Sequence, residues 1–359
     1  MVKACVKSVG NFIRHWGPSQ FRQRANRLVG LDIGSSAITL VQLEKSGQKF
    51  SLTRFGFRWL EEGLVIDDAI LDRQRLVTQL QDLVGENGLA GQPVVLAVSG
   101  PSVMVKRLKI SGVQSADLDE HLQWEGHRYI SHPLDDVCLD HQVCGINGED
   151  ELDILLVVAK RNVVEDRQLL ASEAGLDPVG CDVAGLALAN MASLAGADSY
   201  ASHLNVNLGS GGCTIVALDR GMPLFIRDAS WEDDLPDEST RIFMDRTDGG
   251  HASAEKDKFG ESVLHHDVQH LAREIRRNLN FMYEVSSAAK VENIQLSGAG
   301  ATPALCETLT RELSIPVALL IPFQGIRIRD LHLNQDHLYR FGSLAGVAVG
   351  LAARSDCYV

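Results

Sequence analysis

A glycine hairpin framed by apolar strands occurs twice in this chain, about 170 residues apart, and this repeat limits the possible folds more than any other feature. The first copy is VGLDIGSSAITLVQL, Val29 to Leu43. Val29, Leu31 and Ile33 flank one acid, Asp32; Gly34-Ser35-Ser36 turns the chain; Ile38, Leu40, Val41 and Leu43 carry it away. The second copy is HLNVNLGSGGCTIVA, His203 to Ala217, with the turn Gly209-Ser210-Gly211-Gly212 and with Thr214 standing where Thr39 stands in the first. Such a tip can aim backbone N–H groups and hydroxyls at an anion, while a carboxylate beside it holds the water shell of a metal ion. One copy alone reads more simply as an ordinary hairpin with a surface aspartate. Two copies imply a duplicated α/β domain with a ligand held between its halves. The repeat is imperfect, because the position matching Asp32 is Asn207, which accepts a hydrogen bond but brings no charge.

A length of 359 residues allows two domains, each with a full core. The formal charge of −13 argues against nonspecific nucleic-acid binding, so no nucleic-acid partner is expected. Seven cysteines, odd in number and scattered through apolar runs without a C-x-x-C pair, suit reduced thiols in a cytoplasm rather than zinc. No apolar run approaches the ~20 residues of a membrane span, and no secretory signal is read at the N-terminus. Residues 1–28 carry six basic side chains and no acid, so the rest must hold −19 to reach the total of −13. Val2, Cys5, Val6, Val9, Phe12, Ile13 and Trp16 recur there at helical spacing, as in a basic amphipathic leader suited to an anionic membrane face. Gly10, Gly17 and Pro18 argue instead for a leader without fixed structure.

In order, Phe50 to Leu60 reads as a strand, Asp72 to Val84 as a helix, and Pro93 to Val98 as a buried strand ending at Ser99-Gly100-Pro101. Residues 101–160 form a smaller α+β unit. Its parts are a strand from Val103 to Ile110, a helix from Asp117 to Tyr129 capped by Ser115, and strands from Val137 to Ile146 and Asp153 to Ala159. Its His121, His127, His132 and His141 repeat no metal-ligand spacing. A helix from Arg161 to Ala174, a strand from Pro178 to Val183 and a small-residue helix from Ala184 to Ala195 follow. Ser230 to Phe259 is polar and acidic and reads as loop or insertion. The helix after it sets Val268, Leu271, Ile275, Leu279 and Met282 on one face and carries His266 and His270 at i, i+4, a metal-ligand spacing without a third ligand nearby. A strand from Val291 to Leu296 then runs into Ser297-Gly298-Ala299-Gly300-Ala301, and Pro303 opens the next helix. That turn lacks the third glycine and the downstream acid of a dinucleotide fingerprint, and no P-loop occurs anywhere. A strand from Pro316 to Ile321 and a Gly/Ala-rich helix from Phe341 to Ala352 end the order. The expected organisation is a leader (1–28), a first lobe (29–202, with 101–160 inserted) and a second lobe (203–353, with a divergent stretch at 230–290).

The motifs GLDIGSSAI, NLGSGGCTI and LSGAGATPAL resemble those of the actin-like ATPase superfamily of actin, Hsp70 and sugar kinases. Within it, four stretches resemble the PilM family of type IV pilus assembly: 30–41, 94–110 (VVLAVSGPSVMVKRLKI), 122–143 (LQWEGHRYISHPLDDVCLDHQV) and 154–183. The resemblance covers roughly residues 29–220 and 290–350. It implies a duplicated, ribonuclease H-like two-lobed ATPase fold whose small subdomain is placed as in the cell-division protein FtsA. It implies a cytoplasmic protein, peripheral at the inner membrane, whose 101–160 platform docks the N-terminal tail of a PilN-like single-span membrane protein. Other inner-membrane pilus assembly proteins and a second copy of the chain are further implied partners. The implied cofactors are ATP and Mg2+. Gly34, Ser35 and Ser36 would meet the phosphates from one hairpin and Gly209, Ser210, Gly211 and Gly212 from the other. Gly298 and Gly300 would approach the adenosine, and Asp32 would orient the metal's waters.

Two positions depart from the family pattern. Asn207 replaces the aspartate of the second hairpin, and Ala184 replaces the acid two positions after the Asp182-Val183 pair. A water to be activated then has one carboxylate where two or three are expected, which favours nucleotide binding with little or no hydrolysis. An actin-fold kinase or phosphatase would need a base that the cleft motifs lack, and a filament former like FtsA would need lobe-to-lobe interfaces.

Overall fold

The structure is a computed structural model that describes residues 27–47, 49–61, 63–66, 69–147, 151–195, 202–209, 212–230, 256–285, 290–329, 338 and 341–356, with side chains of the long helix from 268 to 284. The leader expected to be amphipathic and most of the acidic 230–259 stretch lie outside the described residues.

The first hairpin is β1 (Arg27–Ile33) and β2 (Ala37–Ser46), continued antiparallel by β3 (Lys49–Trp59). β4 (Val65–Ile66) and β5 (Ala69–Ile70) make a minor hairpin before α1 (Arg73–Glu86), whose N-cap Asp72 accepts a bond from the Arg75 N–H at 3.1 Å. β6 (Pro93–Val98) then lies parallel to β1, and β10 (Asp177–Val183) parallel to β6. The six-stranded order is β10-β6-β1-β2-β3-β16, where β16 is Arg327–Ile328. β1, β2 and β6 are buried on both faces because helices cover both. Val29, Leu31, Ile33, Ile38 and Leu40 face α1 and α3 (Arg161–Glu173). Leu28, Val41, Leu43 and Val95 face α4 (Ala184–Leu194) and a closing helix, α7 (Gly346–Ala352).

Inserted between β6 and α3 is a three-stranded antiparallel sheet, β7-β9-β8, made of β7 (Val103–Ser111), β8 (Val137–Asn147) and β9 (Glu151–Lys160). Its helix, α2, runs over Leu118–Glu125 and not to Tyr129: Gly126 is a poor helix former, and the chain tightens into a 3-10 turn at Gly126–Arg128. Asp117, not Ser115, holds the N-cap position, without a side-chain bond.

The second half repeats the arrangement. β11 (Ser202–Leu208), β12 (Gly212–Asp219) and β13 (Met222–Ser230) form an antiparallel meander, and β14 (Asn293–Gly298) runs parallel to β11 as β6 does to β1. β15 (Val317–Leu319) completes the order β13-β12-β11-β14-β15. Leu204, Val206, Leu208 and Ile215 pack against α5 (Lys256–Val285) and α6 (Pro303–Leu313). α5 starts at Lys256, so the last residues of the expected 230–259 loop are helical, and Val268, Leu271, Ile275, Leu279 and Met282 within the 230–290 stretch form the main cover of this sheet. On the opposite face, Val216 and Leu218 join the core shared with α4 and α7, beside the fully buried His203 and Asn205.

The chain from Arg327 onward returns to the first half. β16 pairs with β3, and α7 packs on β1 and α4. The expected closing helix divides into a 3-10 turn, Gly342–Ala345, and α7, with a glycine at the start of each. A Cβ on Gly30 of β1 would collide with the Ala348 carbonyl, and one on Gly350 with the Ala187 carbonyl. The two halves are thus joined by helices whose backbones touch. No helix among the described residues is long and apolar enough to cross a membrane.

Candidate functional site: a cleft between two glycine hairpins

The two hairpins close in the same way. The Gly34 N–H bonds the Ala37 carbonyl at 3.0 Å, and the Gly209 N–H bonds the Gly212 carbonyl at 2.8 Å. Asp32 is in register with Thr39, and Asn207 with Thr214. The tips converge: a Cβ placed on Gly209 would stand 3.7 Å from the Ser35 hydroxyl. Between them lies a cleft of about 600 Å³, whose walls also include the Ser99–Pro101 loop, the Gly298-Ala299 turn and Ala184 at the start of α4.

Asp32, Gly34, Ser35, Ser36, Asn207, Gly209, Gly212 and Gly298 line this cleft. Ser210 and Gly211 lie outside the described residues. Ser36 is largely buried, and its carbonyl accepts the Leu60 N–H at 2.8 Å, so it anchors the tip to the start of the next loop. Asn207 accepts the Ser297 hydroxyl at 2.9 Å, which ties the second hairpin to the β14 turn. Gly298 has φ +90°, and a Cβ there would run into the Leu208 backbone, so contact between β11 and β14 already requires glycine. Gly300 is not among the residues that line the cleft; its N–H turns back towards the Leu208 carbonyl at 3.4 Å. The His266 side chain lies outside the described residues, and among those described no group of three His, Cys, Asp or Glu could hold a metal ion.

The sequence reading missed one cleft residue, Asp228 on β13. Its Oδ1 accepts the Thr214 hydroxyl at 2.5 Å and its Oδ2 accepts the Gly100 N–H at 3.0 Å. Asp228 is exposed to solvent on the cleft side; partial desolvation by the surrounding protein raises its pKa, against the two hydrogen bonds, which lower it. Ala184 sits in the wall where an acid was expected, and Asp182 two residues earlier cannot replace it. Asp182 is fully buried and paired with Arg354, and burial pushes its pKa up to about 6 although Arg354 pulls it down.

The donor set suits a phosphate ester carried with a hard cation. Among the described lining residues the charged ones are Asp32 and Asp228, with no Lys, Arg or His. Phosphate charge would therefore be met by backbone N–H groups at the tips, by hydroxyls, and by a metal ion whose waters face the carboxylates.

A family model described as type IV pilus assembly protein PilM matches residues 30–356. Among solved structures, one described as a PilM-PilN type IV pilus biogenesis complex is similar with a TM-score of 0.75 at 23% identity, over 91% of this chain and 98% of that one. The ethanolamine utilization protein EutJ from Carboxydothermus hydrogenoformans is similar with a TM-score of 0.53 at 13% identity, over 94% of this chain and 99% of that one. These similarities place the duplicated sheets in the actin-like fold.

Proposed function

Because this chain belongs to the PilM family of type IV pilus assembly proteins, we propose that it is a nucleotide-binding scaffold that docks the cytoplasmic tail of a PilN-like single-span membrane protein. One observation carries the nucleotide reading: both glycine hairpins deliver their tips to a single cleft, closed by the same hydrogen bond in each half. Gly34, Ser35 and Ser36 on one side and Gly209 and Gly212 on the other would meet the phosphates of ATP, and Asp32 would face the water shell of a bound Mg2+. A bound magnesium ion supplies charge neutralisation of the phosphates. Neither Asn207 nor Ala184 supplies a carboxylate to activate a water, so the nucleotide is kept and its occupancy biases how the halves close. Isothermal titration of the full chain with ATP and Mg2+ tests this, together with phosphate release. Saturable binding with turnover far below the ~1–100 s⁻¹ of kinases is expected; heat-silent titration with no competition by ADP overturns it.

The solved complex of a PilM with PilN supports the partner reading. The 101–160 unit is the proposed platform; it presents Trp124, 73% exposed, and Ile146, 65% exposed, to solvent. Through the tail the protein would sit at the cytoplasmic face of the inner membrane. Fluorescence anisotropy of a labelled PilN-type N-terminal peptide against the full chain is the direct measure. Saturable binding, weakened when residues of the platform are changed, is the expected result.

A further inference from the structure

The second half carries its cleft carboxylate on an unexpected strand. Asn207, Thr214 and Asp228 are register neighbours across β11, β12 and β13. The matching row of the first half is Asp32, Thr39 and Phe57 across β1, β2 and β3. Thus one half has its acid on the first strand of the row and the other on the third. Strands stand about 4.8 Å apart, so the acid of the second half is moved sideways by roughly 10 Å. From there it does not stand beside the second hairpin tip as Asp32 stands beside the first, and it reaches the other half instead.

The contact it makes is between halves. Gly100 opens the turn from β6 into β7, with φ +68°, and its N–H meets Asp228 Oδ2 at 3.0 Å. The other oxygen, Oδ1, is held by Thr214 on the strand leaving the second hairpin, at 2.5 Å. One carboxylate therefore links the loop beside the first sheet to the hairpin strand of the second. Two residues earlier on β13, Ile226 packs against the cluster of Leu155, Val157, Val183 and Leu186, so the strand is pressed on the first half next to the bond. We propose that Asp228 is a positioning residue of the cleft: it straps the second half to the Gly100 turn and so fixes how far apart the two hairpin tips stand. Opening the cleft requires this bond to break. At a solvent-exposed carboxylate such a hydrogen bond accounts for roughly a two- to tenfold difference in the local opening equilibrium.

Hydrogen exchange by mass spectrometry on the ligand-free full chain tests the strap, independently of whether nucleotide binds. Asp228→Ala removes both bonds, and fragments spanning 99–104 and 212–216 should exchange about two- to tenfold faster, with α1, α3 and α6 unchanged. Asp228→Asn keeps one carbonyl acceptor and should restore most of the protection, and Thr214→Val, which leaves the Gly100 bond in place, should loosen 212–216 more than 99–104. Unchanged exchange at 99–104 in Asp228→Ala overturns the proposal. So does a uniform rise across the whole chain, or an Asp228→Asn protein as unprotected as the alanine variant.

Discussion

At the residue scale, close backbone approach and buried charge decide more than propensity. Alanine at position 350 should help α7 by about 1 kcal/mol on helix propensity alone. In this fold its Cβ would meet the Ala187 carbonyl, which is backbone and cannot swing away. Gly350→Ala should therefore destabilise the protein by about 1–3 kcal/mol, read as a lower urea midpoint at unchanged slope. Asp182 gives a second test through its pH dependence. Burial raises its pKa to about 6 from an unfolded value near 4, against the pull of Arg354. The folded state then holds more protons than the unfolded one between those values, so this stabilisation is complete below pH ~4 and lost as pH rises through ~6. Its size is of order 3 kcal/mol. Asp182→Asn cannot titrate, so the stability difference between wild type and variant should shift by about 2 kcal/mol between pH 4.5 and 7; a constant difference would show the pair ionised throughout. Asp32 was legible in the sequence because a lone acid before a glycine turn carries its own context. Asp228 was not: its place depends on a register that shifts between Ala217 and Leu218 and on a loop 128 residues away.

At the scale of elements, alternation and caps were legible where one signal dominates locally. The glycine turn followed by Pro303 marks the start of α6, and the structure adds Thr302 as N-cap, its hydroxyl accepting the Leu305 N–H at 3.2 Å. Thr302→Ala should cost about 1 kcal/mol, whereas Thr302→Ser should cost little, a contrast readable by thermal unfolding. The two ends of α2 were misjudged for a physical reason: Gly126 interrupts an otherwise helical run, and Asp117 competes with Ser115 for the cap position. The beginning of α5 was hidden in the same way, because its first residues share the polar composition of the stretch before them. Along β11, HLNVNL alternates as a half-buried strand should, yet His203 and Asn205 are as buried as Leu204. Period-two patterning assigned them a face correctly but could not show that the first half would cover it.

At the scale of the whole molecule, the duplication was legible because the hairpin repeats, whereas the return of the C-terminal segment to the first half was not. β16 is two residues long and α7 is apolar all round, and neither carries a mark of which sheet it joins. That return closes the molecule around one cleft, whose charge sets its ligand requirements. With Asp32 and Asp228 in the wall and no cationic side chain among the described lining residues, a metal-free triphosphate meets like charge on entry. At an effective dielectric of about 20, a unit pair of like charges 8 Å apart costs roughly 2 kcal/mol, and the several charges of ATP multiply it. Hydrogen bonds from the hairpin tips contribute about 0.5–1.5 kcal/mol each and do not offset that alone. ATP binding should accordingly fall at least about a hundredfold when the divalent cation is chelated, and adenosine, which has no phosphate, should be insensitive to chelation. Titration calorimetry of the full chain with ATP in Mg2+ and in excess EDTA makes the comparison. Equal affinities in the two buffers would mean that cationic groups outside the described residues, and not a metal ion, neutralise the phosphates.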